Sequence, residues 1–387
     1  MDFNYYMPTK ILFGCGKLNI LAKIKLPGKK ALIVISSGTS MKRSGYLDRV
    51  CTLLESNNSD YVVFDKIKPN PTLKSVTAGA KMARENSCDY VIGLGGGSSI
   101  DASKSIAVMA ANPGNYWDYI SGGSGKGKPV PNDPLPLIAI TTTAGTGTEA
   151  DPWTVVTKER TNEKIGFGYE KTFPTLSIVD PELMITVPPA LTAYQGFDAF
   201  FHAAEGFIAN ISNEVSDMYA LKSIELIGRS LARAVKDGEN IDARTDVALA
   251  NTLAGFVEST SSCVSQHSLE HALSAYHPGL PHGAGLIMLS EEFFLHFIDV
   301  CAEKYIRMAQ ALGKRNADKP EDFIRELIFL QESCGVRDLK MSDFGVDSNN
   351  LGKYVDNAYD TMGGLFNFDP IPLSRKDALE IMKRSFK

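Results

Sequence analysis

The chain has 387 residues, with 40 Lys and Arg against 45 Asp and Glu, a net charge of −5 and a pI near 5.8. A composition of 44% hydrophobic and 22% charged residues excludes disordered, collagenous and coiled-coil chains. The mild acidity argues against a dedicated nucleic-acid binder, whose phosphate footprint needs clustered Lys and Arg. At roughly 150 residues per domain, the length predicts two or three domains or one large enzyme. No run of about 20 apolar residues occurs, so no membrane-spanning helix and no membrane partner are expected. The start, Met1 to Pro8, has neither a basic nor an apolar leader region, so export is not expected. None of the six cysteines falls in a Cys-x-x-Cys pair, and they read as reduced thiols of a cytoplasmic protein.

In chain order, Ala31–Ile35 is a short β-branched run ended by Ser36-Ser37-Gly38, and residues 44–56 carry Leu47, Val50, Cys51 and Leu54 at helical spacing. Tyr61–Phe64 reads as a strand, with Pro69 and Pro71 marking the loop after it. Residues 72–86 read as a helix through Leu73, Val76, Ala80 and Ala83. Tyr90–Leu94 is a third strand, 99–111 a third helix, and 136–140 and 176–179 are further strands. Short apolar strands alternating with helices predict a mostly parallel, helix-covered sheet. Past Pro188-Pro189 the strand signals stop, and 190–209, 214–236, 244–276, 283–297 and 300–313 carry helical periodicity. An α/β domain over 1–185 and an all-α domain over 186–387 are therefore expected. Ser121 to Gly127 reads as a surface loop.

Two segments suit a phosphate-bearing ligand. Gly95-Gly96-Gly97-Ser98 follows a strand and opens a helix, where small residues let backbone N–H groups and the positive helix end approach an anion. Ser98 and Asp101 also fit a capping pattern, so a capped turn without ligand has the same signature. Thr141 to Glu149, rich in Thr and Gly, follows the strand at 136–140. Ligands of open α/β sheets sit at strand C-terminal ends, so two such loops carry more than either alone. The turn is not the G-x-G-x-x-G fingerprint.

Five of the six histidines lie between 202 and 282, four of them between 267 and 282. Asp198 and His202 are spaced i, i+4, as are His267 and His271, which places each pair on one helix face. His277 and His282 follow. One carboxylate and several imidazoles suit a divalent transition metal: Fe(II), Zn(II), Co(II) or Mn(II).

On these residues the chain resembles the iron-containing (group III) alcohol dehydrogenases. The motifs are Gly95-Gly96-Gly97-Ser98 with Asp101 and Lys104, Thr143 to Glu149, Asp198 with His202, and His267 with His271 and Pro281-His282-Gly283. The resemblance implies a Rossmann-like α/β nucleotide-binding domain, a helical domain, and a metal in the cleft between them. Carried over by position, it implies Asp198, His202, His267 and His282 as metal ligands. It implies Gly95, Gly96, Gly97 and Ser98 at the pyrophosphate, Asp101, Thr142, Thr143 and Thr146 around the nicotinamide half, and Lys164 at a ribose. Where most NAD-using members place an Asp after the first strand of the unit, this chain has Ser37, Gly38, Thr39 and Ser40, followed by Lys42 and Arg43. Small donors accept a 2′-phosphate that a carboxylate would repel, so NADP(H) is expected over NAD(H).

The stretch from Ala272 to Gly279 is similar to the butanol dehydrogenase and NADPH-dependent aldehyde reductase branch. The expected reaction is reversible hydride transfer on short-chain aldehydes or primary alcohols. His267 would serve at the metal, and His271 would relay the proton, with His277 as the other candidate. Glycerol-dehydrogenase-like polyol oxidation and a non-catalytic metal- and nucleotide-binding regulator are the alternatives. Cys263, four residues before His267, either faces the site or packs, with packing the commoner role, and His296 reads as structural. A homodimer or larger homo-oligomer is expected, with residues near Lys10 to Phe13 able to pair across an interface.

Overall fold

A computed structural model describes residues 3–387. Six strands form one parallel sheet: β1 (Lys10–Phe13), β2 (Lys30–Ser36), β3 (Asp60–Ile67), β4 (Tyr90–Gly95), β5 (Leu137–Thr141) and, after a hairpin of β6 (Thr154–Lys158) and β7 (Glu163–Phe167), β8 (Leu176–Val179). Their spatial order is β1-β8-β5-β4-β2-β3. The helices of this half are α1 (Ser40–Arg43), α2 (Tyr46–Ser56), α3 (Leu73–Glu85) and α4 (Gly97–Ala111). Strand alternation decides what each covers. Ala31, Ile33 and Ile35 pack with Leu47, Val50 and Leu54 of α2, whereas Leu32 and Val34 face Val76 and Ala80 of α3 and Ile106 of α4. Both faces are buried, which is why these strands read as continuous apolar runs.

The antiparallel β6–β7 hairpin lies outside the elements expected from the sequence. Its strands are five residues each, and the turn is made by Asn162 in the left-handed region at φ 51°. Val156 and Ile165 pack into the core shared with α3 and α4. Among the described residues no strand follows Val179. The remaining helices are α5 (Pro189–Ile208), α6 (Glu214–Lys236), α7 (Ile241–Thr260), α8 (Ser265–Tyr276), α9 (His282–His296), α10 (Ala302–Leu312), α11 (Glu321–Ser333), α12 (Leu351–Met362) and α13 (Arg375–Ser385). Their core centres on aromatic packing: Phe201 stacks with Phe294 at 6.2 Å between centroids, and Phe200 with Phe323 at 6.3 Å.

The stretch 244–276, expected as one helix, is two. Hydroxyls end α7: Ser259 Oγ and Thr260 Oγ1 donate back to the carbonyls of Gly255 and Phe256. The Ser261 hydroxyl leaves the helix for Gly206 O at 2.8 Å. Asp369 then starts α8 by accepting from the backbone N–H and hydroxyl of Ser265. No helix of the described residues is long and apolar enough to cross a membrane.

The loop after β5 is docked onto α7 by a buried carboxyl. Glu149 Oε1 accepts from Asn251 Nδ2 and Thr252 Oγ1, both at 2.8 Å, and Oε2 has no partner. Burial pushes its pKa up to about 7, against the bond from Thr252. A carboxyl with a raised pKa costs stability as it ionises. Stability should therefore fall as pH rises from the ordinary Glu range through about 7. Glu149→Gln keeps the acceptor and removes the charge. Its denaturation midpoint should be flatter than that of the wild type from pH 5 to about 8, and higher than the wild type's at the upper end.

Candidate functional site

Adjacency of β4 and β5 brings the two glycine-rich loops together. Gly95 closes β4 at φ +146°, a conformation that L side chains rarely adopt, and its carbonyl accepts from the Thr142 N–H at 2.9 Å. A Cβ on Gly96 would lie 2.8 Å from Thr143 Oγ1, and one on Gly97 would collide with Thr146 Cγ2. The expected Ser98/Asp101 cap does not form. Gly96 is the N-cap with no side-chain bond, so the first-turn N–H groups of α4 have no side-chain acceptor. Asp101 instead accepts from Thr148 Oγ1 at 2.7 Å and the Val155 N–H at 2.9 Å. Burial raises its pKa to about 6 against the pull of Lys104. Lys104 is itself buried and donates to Thr148 Oγ1, Asp151 Oδ1 and O, and Trp153 O at 2.6–3.1 Å.

The α4 N-terminus opens on a cleft of about 610 Å³ that runs to the histidines. Of the expected coenzyme residues, Gly97, Ser98, Asp101, Thr146 and Lys164 line this cleft. Gly95, Gly96, Thr142 and Thr143 form the turns behind it. Thr142 reaches Met41 Sδ at 4.0 Å, which ties β5 to α1. Ser37, Gly38, Thr39 and Ser40 are exposed beyond the end of β2 and do not line the cleft. Beside them Lys42 pairs with Asp65 of β3 at 2.6 Å. Lys164 is buried at the other end, where Nζ donates to Ser274 Oγ at 2.8 Å and lies 3.5 Å from Glu270 Oε2. Ser121 and Gly122 of the expected surface loop also line the cleft.

Three helices bring the remaining residues together. Asp198 and His202 share a face of α5, His267 lies in the first turn of α8, and His282 is the first residue of α9. Asp198 Oδ1 is 3.6 Å from His202 Nδ1, 3.7 Å from His267 Nε2 and 3.4 Å from His282 Nε2. Asp198 Oδ1 and His267 Nε2 are buried without hydrogen-bond partners. The outer ring nitrogens are held. His267 Nδ1 is 2.7 Å from Glu205 Oε1, and His282 Nδ1 meets Glu270 Oε2. Such outer bonds fix the tautomer that presents Nε2 inward. Burial alone would raise the Asp198 pKa, but His202, His282 and His267 bring it down to about 2. Burial disfavours charge on His267, yet Glu205 and Asp198 raise its pKa to about 10. The carboxylates thus hold positive charge at this point, and a divalent cation in place of the proton satisfies the same groups. One carboxylate oxygen and three imidazole nitrogens, two of them oriented by carboxylates, fit a divalent transition ion. Glu205→Gln should weaken divalent-metal affinity by roughly 10–100-fold, read by competition with a chromogenic chelator.

His271 lines the cleft beside this cluster, 5.2 Å from the His282 ring, with Nδ1 buried and unpartnered. Burial, then Lys164 and His282, lower its pKa well below the ordinary imidazole value, so it is neutral rather than titrating near neutrality. His277 is not on the cleft; its Nε2 bonds Tyr354 Oη at 2.8 Å. His296 is exposed on α9, edge-on to Phe297. Of the two alternatives for Cys263, the structure has the one at the site: its Sγ groups with nitrogens of His202 and His267 within 4.8 Å. Glu205, Glu258 and Glu270 were missed as site residues. The signal was in the spacing, since Glu205 follows His202 by three residues and Glu270 follows His267 by three, each near one helix face.

Family models cover nearly all of the chain: iron-containing alcohol dehydrogenase matches residues 8–181, and the C-terminal model of the Fe-containing alcohol dehydrogenase family matches 192–386. Alcohol dehydrogenase 4 of Saccharomyces cerevisiae is 34% identical over 388 residues, covering 99% of this chain and 98% of that one. The probable NADH-dependent butanol dehydrogenase 2 of Bacillus subtilis is 31% identical over 401 residues, covering 99% of each. The crystal structure of an archaeal halo-thermophilic alcohol dehydrogenase from a Red Sea brine pool has a TM-score of 0.95 and 35% identity, covering 100% of this chain and 99% of that one.

Proposed function

The chain belongs to the iron-containing alcohol dehydrogenase family, and from that premise we propose that it interconverts short-chain primary alcohols and aldehydes with NADP(H) and one divalent metal, Fe(II) before Zn(II), Co(II) or Mn(II). Alcohol and aldehyde oxidoreduction is the chemistry of the family. The carrying observation is one cleft with the uncapped α4 N-terminus at one end and the convergence of Asp198, His202, His267 and His282 at the other. Residues 1–185 serve the coenzyme and 186–387 the metal and substrate.

In this reading the N–H groups of Gly97 and Ser98 bind the pyrophosphate, and the threonine loop positions the nicotinamide half. Asp198, His202, His267 and His282 hold the metal, which supplies Lewis acidity at the substrate oxygen. Glu205 and Glu270 orient His267 and His282. His271, neutral and with Nδ1 free, takes the hydroxyl proton on oxidation and returns it on reduction. Lys164 lies 3.5 Å from Glu270 Oε2, the oxygen that meets His282 Nδ1, and so helps to hold that carboxylate in place. NADP(H) is favoured because the Ser37–Ser40 turn carries no carboxylate and Asp65 is engaged by Lys42. The Bacillus subtilis relative named NADH-dependent supports the second reading, NAD(H). A polyol dehydrogenase of the glycerol type or a non-catalytic regulator is less well supported, since the chain retains Asp198, all three histidines and His271.

The enzyme is proposed to be cytoplasmic and to form a homodimer or larger assembly, with β1 at the sheet edge available to a second copy. Nicotinamide absorbance during reduction of butanal, with NADPH or NADH and with or without Fe(II) or Zn(II), tests the reading. Metal-dependent turnover, faster per KM with NADPH, is expected. No turnover of any aldehyde or alcohol with any metal overturns it.

A further inference from the structure

One carboxylate in the cleft has no role in the chemistry above. Glu258 projects from the last turns of α7 and is buried, with 9% of its surface exposed. Its Oε2 accepts from the Cys263 thiol at 3.0 Å, and its Oε1 is buried without any partner. A buried carboxylate supported by one weak thiol donor is costly unless a cation completes it. Burial raises its pKa, with His202 and His267 pulling the other way, and no lysine or arginine pairs with it. Lys104 is committed to Asp151, and Lys164 to Glu270 and Ser274. Cys263 groups with the nitrogens of His202 and His267, which puts Glu258 one side chain beyond the metal cluster, on the wall of the cleft. Trp153 lines the same wall, held by its Nε1–H on the Glu258 carbonyl at 3.2 Å, with an aromatic face suited to a cation.

The geometry points to Glu258 as a specificity-determining residue that selects alcohols carrying an ammonium group a few atoms from the reacting carbon, that is, short amino alcohols and their aldehydes. This inference rests on the alcohol dehydrogenase reading. The ammonium donates to Glu258 Oε1, completing the carboxylate's partners, and no bond is made or broken there. A neutral hydroxyl satisfies the orphan oxygen but leaves the charge unbalanced.

The test compares kcat/KM of the metal-loaded enzyme for 3-aminopropan-1-ol, 1,3-propanediol and butan-1-ol, which are of similar length. The wild type should favour the amino alcohol over butan-1-ol. In Glu258→Gln, which keeps size and a polar amide, the amino alcohol to butan-1-ol ratio should fall by about ten-fold or more, while the diol to butan-1-ol ratio changes by less than about two-fold. Glu258→Asp, which keeps the charge, should restore part of the lost ratio. Propylammonium should compete with butan-1-ol, with an inhibition constant raised by Glu258→Gln. The proposal is overturned by an unchanged ratio in Glu258→Gln, by a wild type without preference for the amino alcohol, or by an equal fall for the diol. Butan-1-ol turnover in the wild type separates these results from failure of the dehydrogenase reading, in which no alcohol reacts.

Discussion

His267→Ala should lower kcat/KM for alcohol oxidation by at least about 10³-fold and leave the purified protein without stoichiometric divalent metal. Lewis-acid stabilisation at a substrate oxygen is worth several kcal/mol, and each 1.4 kcal/mol is about ten-fold in rate. The site explains why this position should matter most. Its Nε2 points at Asp198 Oδ1 at 3.7 Å, while its Nδ1 is fixed by Glu205, itself held by the Val264 N–H at 2.9 Å. Removing the ring leaves Asp198 and Glu205 facing each other across a cavity. The check is metal analysis by mass spectrometry alongside initial rates, with circular dichroism to confirm the helices. His271→Gln is the informative contrast: it should slow turnover while retaining metal, because His271 is assigned to the proton and not to the ion.

The largest stability effect is expected at Lys104, buried behind the cleft wall. Its ammonium is fully buried and makes an ion pair with Asp151 at 3.1 Å, side-chain exposures being 0% and 3%. It also bonds Thr148 Oγ1, and Thr148 in turn bonds Asp101. Lys104→Met leaves the Asp151 carboxylate uncompensated, and breaking such a pair costs about 3–5 kcal/mol. The variant should unfold at markedly lower urea concentration and lose coenzyme affinity through the displaced threonine loop. Adding Asp151→Asn should recover part of the stability, because the orphaned charge is then gone. An equally destabilised double variant would show that packing, not charge, dominates there.

The parallel sheet was legible because both its faces are covered. Ala31–Ile35 and Tyr90–Leu94 had to be continuous apolar runs, and they are. The i, i+4 spacing of Asp198 with His202 placed those two on one face of α5. It could not place His282, which joins them only because α9 begins against α5: a Cβ on Gly283 would overlap Tyr194 O. The break within 244–276 was written in the hydroxyls of Ser259, Thr260 and Ser261, the first two bonding back to the helix and the third leaving it for Gly206; apolar periodicity is blind to it. The β6–β7 hairpin was missed because five-residue strands around a left-handed Asn carry little periodic signal, though Thr154 to Thr157 are all β-branched. The helices beyond Leu312 did not stand out in the sequence, although α12 is amphipathic and packs its Met362 end against the cleft. Glu258 needed the fold itself, since only the turn between α7 and α8 decides that it faces the histidines, whereas the four-residue spacing of Cys263 to His267 already offered a place at the site.

Asp198, His202, His267 and His282 are proposed to hold one divalent ion on which alcohol oxidation depends. Titrating Fe(II) anaerobically, or Zn(II), into chelator-stripped protein while following rate and bound metal tests it most directly. Activity should be absent at the start, rise in proportion to bound metal, and stop rising at one ion per chain. Full activity in the stripped protein, or undiminished metal binding in His267→Ala, would contradict it.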